Sequence, residues 1–478
     1  MASAFNPGIL THMNQGTRKG RLVAGLGLFT LVLHFSFAAR AAESLNWRKD
    51  KDSVDADISS WSLLKTLEQI SEATGWQVYV EPGTRKQVST KFKERPRDRA
   101  LDLLLGNLGR ALLPGTNGGP ARLLVFRSAQ RDATRLIRAR GKARPIPNEL
   151  IVRMKKGKNV DDLAKELGAK VLGKSDAMNA GRLQFKDEGA TEKARESLLE
   201  NEDVTGVDPN FNITTQPTLE GPGTGGSGGF NLKPLKNGDP LVVALIDTAV
   251  QRQGNEYDNF LLPALSVTGE VITPTDQPTH GTSMFEVILK SVDAFTPDGT
   301  ATPIKIRPVN VFGPHGEATS FEVAEGILQA LKSEPRPSFV NLSLGGEGRS
   351  QFLSDVIQMG TDAGVGFAAA AGNTHTTEPM DPAGDPNVIG VTAGDAPYTL
   401  APWANASPSN DALAPATWRI PFDDKTWIIQ GTSPATAGFT GGVMALMASG
   451  QTRAQAVTAM LQTFALSPPR GSSATPSR

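Results

Sequence analysis

Six consecutive apolar residues, Leu241–Ile246, run straight into an aspartate at position 247. So short a run without polar alternation reads as a strand buried on both faces, and such strands belong to parallel sheets covered by helices. The same signature recurs at Ile304–Val311, Ser338–Leu344, Val365–Ala371 and Val388–Thr392, with helical periodicity over Ser320–Lys332 and Gln351–Ala363. The alternation predicts an α/β domain with a parallel sheet and helices on both faces. In such sheets functional groups gather at the carboxyl ends of the strands, where Asp247 stands.

A candidate nucleophile lies in GTSPATAGFTGGVMALMA, which begins at Gly431. Gly431 permits a tight turn, Pro434 suits the first helical position, and the apolar stretch Phe439–Met447 predicts a buried helix that fixes Ser433. A serine hydroxyl is a weak nucleophile. It needs a neighbouring base, and the base needs a third group to hold its tautomer. Three histidines follow the N-terminal segment: His280, His315 and His375. His315 follows Gly313-Pro314 and reads as a turn residue, and His375 as a rim residue. The sequence holds no cysteine, which excludes a cysteine nucleophile, thiolate metal sites and disulfides together. No paired histidines occur at metal-ligand spacing, and the esterase elbow GxSxG does not surround Ser433. Lys plus Arg and Asp plus Glu both number 49, so no global field attracts nucleic acid.

The order Asp, His, Ser, with Asn373 between the last two, is one of the known triad orders. VVALIDTAV, THGTS, VNLSLGG, AAAGN, NVIGVTAGD and GTSPATAG occur in register along residues 237–468. This region resembles the subtilisin-like serine protease family. The resemblance implies that Asp247 orients His280, that His280 deprotonates Ser433, and that Asn373 and the Ser433 backbone N–H bind the oxyanion. It also implies that Ser343, Leu344 and Gly345 form the edge against which an extended polypeptide substrate lies. The sequence departs from the family pattern at Ala249, where glycine is usual, at Ala437, where proline is usual, and after Thr282. No cofactor is expected. Calcium often stabilises the family, but no carboxylate cluster here marks a site.

Two small α+β units with the order β-α-β-β-α-β precede this domain. Residues 147–215 carry PNELIVRMKKG, LAKELGAKVLG, MNAGRLQF and VTGVDPNF, with Asn159 as a helix cap. They resemble the inhibitory propeptide of the same family. The likeness implies a unit that assists folding, lays its tail in the cleft and is removed by self-cleavage near Phe211 or within the glycine tether. Residues 44–128, with LLKTLEQISEATGWQVYVEP and RALDLLL, resemble the short periplasmic domain found at the N-terminus of secretins and TonB-linked transporters. That implies docking to an envelope partner without chemistry. The basic stretch 129–146 reads as a solvated linker, the Gly-rich stretch 216–236 as a tether, and 469–478 as a flexible tail.

At the start of the chain, Arg18, Lys19 and Arg21 precede the apolar run Leu22–Phe37 and then Ala38-Ala39-Arg40-Ala41. This is the order of a secretory signal, with cleavage expected after Ala41. A membrane anchor is the competing reading, but the run is shorter than the roughly 20 residues of a spanning helix and contains His34. The expectation is therefore a secreted or periplasmic serine endopeptidase made as a self-inhibited zymogen. The alternative is an inactive envelope adaptor on the same scaffold.

Overall fold

The computed structural model describes residues 44–466 apart from 49–51, 82–83, 115–120, 134, 138–144, 216–218, 223–230, 236–237, 271, 299 and 379. The expected signal segment 1–41, the tail 469–478, part of the basic stretch and much of the Gly-rich one lie outside the described residues.

The first domain comprises β1 (Ser44–Arg48), β2 (Ser53–Ser62), α1 (Leu63–Thr74), β3 (Gln77–Val80), β4 (Gln87–Pro96), α2 (Arg97–Leu105), β5 (Gly109–Leu113), β6 (Arg122–Phe126) and β7 (Arg135–Ile137). The Ser62 hydroxyl accepts from the Lys65 N–H at 3.2 Å and starts α1, and Gly75, at φ 76°, ends it. The strands form two sheets, β1-β2-β4 and β5-β6-β3-β7, around an apolar core that includes Leu67, Ile70, Val78, Leu101, Leu104 and Leu123. The expected β-α-β-β-α-β order is present with three further strands, β1, β5 and β7. Strand β7 comes from the Arg-rich stretch expected as a linker. It completes the open edge of β3 in antiparallel register and buries Ile137 opposite Val78. An unpaired strand edge needs a partner, and that need outweighs the local charge.

The second domain is β8 (Glu149–Met154), α3 (Val160–Glu166), β9 (Lys170–Ser175), β10 (Ala180–Gln184), α4 (Glu188–Glu200) and β11 (Val204–Pro209). Its sheet has the order β11-β8-β10-β9 with every neighbouring pair antiparallel. Asn159 caps α3, its side chain accepting from the Asp161 N–H at 2.8 Å. The short strands β12 (Asn212–Ile213), β13 (Leu219–Pro222) and β14 (Lys233–Pro234) lead from it to the third domain.

The third domain contains β15 (Leu241–Asp247), β16 (Leu265–Ser266), α5 (His280–Phe295), β17 (Ala301–Thr302), β18 (Ile304–Asn310), β19 (Ala318–Thr319), α6 (Ser320–Lys332), β20 (Phe339–Leu342), α7 (Gln351–Asp362), β21 (Gly366–Ala370), β22 (Ile389–Ala393), β23 (Asn410–Ala414), β24 (Thr417–Phe422), β25 (Lys425–Gln430), α8 (Thr432–Ala448) and α9 (Arg453–Thr463). Seven strands form a parallel sheet in the order β16-β18-β15-β20-β21-β22-β23. Val243 and Leu245 face the core shared with α5 and α8; Ala244 and Ile246 face the opposite core shared with α6 and α7. Burial on both faces is why the Leu241–Ile246 run lacks alternation. The hairpin β24–β25 was not anticipated. It turns on Asp423 and Asp424, both at positive φ (52° and 54°), where glycine usually advertises such a turn.

The second domain sits on α6 and α7. Ile151, Ala180 and Ile213 join the same apolar cluster as Phe321 and Phe352, whose rings stack with centroids 5.4 Å apart. Arg182 grips Glu149 with two hydrogen bonds of 2.8 and 2.9 Å and also pairs with Glu322 of α6. These carboxylates outweigh desolvation and raise the Arg182 pKa. Arg153 pairs with Asp355 of α7. On its far side the second domain meets the first through the ion pairs Arg195–Glu68 and Arg85–Glu200, the latter 2.8 Å long.

Candidate active site

Asp247 is the last residue of β15 and is fully buried. His280 opens α5, where the Thr279 hydroxyl caps the helix by accepting from the Thr282 N–H at 3.1 Å. The two meet with Nδ1 of His280 2.7 Å from Oδ1 of Asp247. With Nδ1 donating to the carboxylate, Nε2 keeps its lone pair, and Nε2 has no hydrogen-bond partner among the described residues. Gln251 braces this junction: its side-chain oxygen accepts from the Thr279 N–H at 2.7 Å and the Thr282 hydroxyl at 2.8 Å. Ala249, where glycine is usual in the family, lies outside the left-handed region, and its carbonyl accepts from the Thr279 hydroxyl at 2.6 Å. The substituted methyl therefore fits the turn.

Ser433 is the second residue of α8 and is fully buried. Gly431, at φ 152° and ψ 175°, makes the sharp entry in a region that side chains with a Cβ avoid. Pro434 occupies the third helical position rather than the expected first. It is still inside the first turn, where a missing N–H is harmless. Ala437, a second of the three departures, is packed into the core without exposure. Ser433 and Ser343 exchange hydrogen bonds: the Ser433 hydroxyl donates to the Ser343 carbonyl at 3.1 Å, and the Ser343 hydroxyl donates to the Ser433 carbonyl at 2.9 Å. The Ser433 hydroxyl therefore faces Ser343 here and is not hydrogen-bonded to His280.

Asn373 follows β21 in the loop beyond its carboxyl end. Its side-chain oxygen accepts from the Thr432 N–H and the Thr432 hydroxyl, both at 2.9 Å, which fixes the amide. Its Nδ2 is left buried and without an acceptor. A buried donor without an acceptor is costly, so this amide is poised to receive an acceptor from outside the protein.

Of the three residues expected at the substrate edge, the Leu344 side chain is buried in the core, so only its main chain can face a ligand. Gly345 is already paired. Its N–H donates to the Thr214 carbonyl at 3.1 Å, and its carbonyl accepts from the Thr214 N–H at 3.0 Å. Just upstream of Thr214, β12 pairs antiparallel with β19. The tail of the second domain thus lies between β19 and Gly345. Gly346 makes this approach possible, since a Cβ there would come within 2.2 Å of the Asn212 carbonyl oxygen. His315 is an exposed turn residue, and His375 is exposed two residues beyond Asn373. Among the described residues no three His, Cys, Asp or Glu side chains converge as metal ligands.

A parallel sheet with an acid–imidazole pair, a helix-borne serine and a buried amide donor at its carboxyl edge, its cleft filled by the tail of an upstream domain, is the layout of a serine protease precursor. Residues 238–468 match the subtilase family, and residues 131–210 match the fervidolysin N-terminal prodomain. The chain thus carries a subtilase domain behind a prodomain and is a subtilisin-like serine endopeptidase made as a zymogen. It is 25% identical over 321 residues to the thermophilic serine proteinase of Bacillus sp. (strain AK1), covering 64% of this chain and 78% of that protein. It is 27% identical over 234 residues to thermitase of Thermoactinomyces vulgaris, covering 48% of this chain and 83% of the relative. The crystal structure of fervidolysin from Fervidobacterium pennivorans, a keratinolytic enzyme related to subtilisin, shares the fold with a TM-score of 0.50 at 18% identity, covering 64% of this chain and 55% of that one.

Neither the bracing by Gln251 nor the bonds from Thr432 to the Asn373 side-chain oxygen is visible in the sequence. Both act through contacts between segments far apart in the chain, which no local pattern displays.

Proposed function

We propose that Asp247, His280 and Ser433 form the catalytic triad of this endopeptidase, with Asn373 and the Ser433 N–H as the oxyanion donors. The observation that carries the reading is the pairing of His280 with Asp247 through Nδ1, which leaves Nε2 free as a base. A rotation of the serine side chain takes its hydroxyl from Ser343 towards that base. The proton then passes to Nε2 as the oxygen attacks the peptide carbonyl, and the carbonyl oxygen gains its charge beside Nδ2 of Asn373. Side chains and backbone suffice for each step, and no cofactor enters.

In the precursor the tail Phe211–Thr214 occupies the substrate edge, so self-cleavage falls between the two anchored stretches, after Thr214 and before Leu219. The proposed cut lies a few residues beyond Phe211, where the tether begins. The alternative of an inactive adaptor is not favoured, because a structural scaffold has no use for a buried imidazole nitrogen and a buried amide both left without partners. The N-terminal basic, apolar and small-residue order supports export to the periplasm or beyond. The first domain is proposed to meet an envelope partner on surfaces away from Arg195.

The test is to purify wild type beside Ser433→Ala and treat both with a fluorophosphonate. Processing and labelling are expected in wild type alone, with a mature N-terminus between residues 215 and 219. Equal full-length products that both resist labelling would remove the proposal.

A further inference from the structure

The loop that carries Asn373 is gripped by one fully buried side chain, that of Asn405. Its Oδ1 accepts from the Thr374 N–H at 2.9 Å, the Thr374 hydroxyl at 3.2 Å and the Thr376 N–H at 3.2 Å. Its Nδ2 donates to the Ala371 carbonyl at 2.9 Å. A single amide thus holds the chain on both sides of Asn373. The backbone repeats the grip. The Asn405 N–H donates to the Gly372 carbonyl and the Ala406 N–H to the Thr376 carbonyl, both at 2.9 Å, and the His375 N–H donates to the Trp403 carbonyl at 3.0 Å. Gly372, at φ 106°, runs so close that a Cβ there would come within 2.4 Å of Nδ2 of Asn405. Asn405 is itself tied to the parallel sheet: its carbonyl accepts from the hydroxyl of Thr392 on β22 and from Nδ2 of Asn410 on β23, both at 2.8 Å. Contacts therefore run without a break from two strands, through Asn405, to the residues flanking Asn373. The Asn373 side chain is tied only by its oxygen, to Thr432, so its buried Nδ2 points where Thr432 and the gripped backbone together put it.

We propose that Asn405 is a positioning residue for peptide hydrolysis: it holds Ala371, Thr374 and Thr376 so that Nδ2 of Asn373 is already in place when the oxyanion forms. The inference rests on the reading of Asn373 as an oxyanion donor. Such a donor works by being preorganised, and it needs no rearrangement at the moment of reaction only while its loop is held. Without the Asn405 amide, the Ala371 carbonyl and the Thr374 and Thr376 N–H groups must find other partners, and the loop shifts to reach them. A misplacement on the order of 1 Å costs about 10²-fold in rate. The bonds of the Asn405 amide end on the Asn373 loop, so the loss is assigned to Asn373 and not to the pairing of His280 with Asp247.

The experiment uses the full chain as wild type, Asn405→Ala, Asn373→Ala and the double variant, with the first-order rate of self-processing followed by gel. Asn373→Ala is expected to slow processing by about 10² to 10³ and Asn405→Ala by about 10². In the double variant Asn405→Ala is expected to add less than about threefold to the loss from Asn373→Ala, because the donor it would misplace is already gone. On a short chromogenic peptide, mature Asn405→Ala is expected to keep KM within about twofold of wild type and to show its loss in kcat. Equal fold-losses from Asn405→Ala in the two backgrounds overturn the proposal, since a merely structural role acts whether or not the Asn373 amide is present. A loss confined to KM, or no loss, overturns it too. If a thermal melt shows Asn405→Ala unfolded, the same cycle is read with Asn405→Asp, which keeps the acceptor for Thr374 and Thr376 and replaces the amide donor to Ala371. There the expected loss is about tenfold in the wild-type background, the worth of one hydrogen bond, and again little beside Asn373→Ala. Wild-type speed in Asn373→Ala strikes the oxyanion reading and the positioning role with it. A slow Asn373→Ala with additive losses strikes the positioning role alone.

Discussion

Oδ1 of Asp247 accepts from two donors at once: Nδ1 of His280 at 2.7 Å and the backbone N–H of Thr248 at 2.7 Å. The second bond fixes the carboxylate, and the fixed carboxylate selects the imidazole tautomer. Asp247→Asn presents an amide in its place and favours the tautomer with its proton on Nε2. The expected loss in kcat is about 10⁴-fold with the protein still folded. Steady-state kinetics beside a thermal melt check both halves, and a loss under tenfold would remove Asp247 from the triad.

Asn373 offers a separable contribution. Asn373→Ala is expected to lower kcat by about 10² to 10³ while leaving KM nearly unchanged, as suits a donor that engages only when the oxyanion forms. A change confined to KM would mean that the amide binds the ground state instead.

How much of this was legible in the sequence depends on how local the signal was. Leu241–Ile246 announced a doubly buried strand because its environment is uniform along its length, and Asp247 marked the end of that strand. The pattern of residues 147–215 likewise survived because each helix and strand carries its own periodicity. Strand β7 did not, since it has only three residues, of which Ile137 is buried, and it exists because β3 needed a neighbour. The hairpin β24–β25 hid behind Asp423-Asp424, where backbone strain is carried without a glycine to signal it. That Ser433 bonds to Ser343 rather than to His280 is a matter of side-chain rotation, on which sequence is silent.

Gly346 gives a test of the substrate edge that leaves the nucleophile alone. In Gly346→Ala the new methyl collides with the Asn212 carbonyl, a backbone atom that can move away only by giving up its place in the cleft. Self-processing is expected to slow about tenfold, matching the loss of one or two main-chain hydrogen bonds, while fluorophosphonate uptake by the mature enzyme stays near wild type. Unchanged processing, followed by gel over time, would show that the tail does not depend on this edge.

Glu286 makes the stability of the third domain depend on pH. It lies on α5, fully buried, with Oε1 accepting from Gln253 at 2.8 Å and Oε2 without a partner among the described residues. Burial raises its pKa from 4.5 to about 8, against the opposing pulls of the Gln253 hydrogen bond and Lys290, and Asp258 adds to the rise. The native state thus holds a proton that the unfolded chain releases near pH 4.5. Its stabilising contribution is complete below that pH and is lost progressively as pH rises through about 8. Glu286→Gln is expected to flatten this decline and raise the melting temperature at pH 9 relative to wild type. Denaturation midpoints of the two proteins across pH 5 to 9 check it, and parallel curves would refute it.

The ion pair between Glu68 and Arg195 joins the first domain to the helix α4 face of the prodomain, away from the cleft. Whatever takes hold of the leading domain therefore has a grip on the inhibitor too. Severing the polypeptide once, beyond Thr214, would leave the third domain held by the second only through non-covalent contacts such as Arg182–Glu322 and Arg153–Asp355. Freeing the protease would then depend on loosening that interface, and the first domain would depart with the inhibitor.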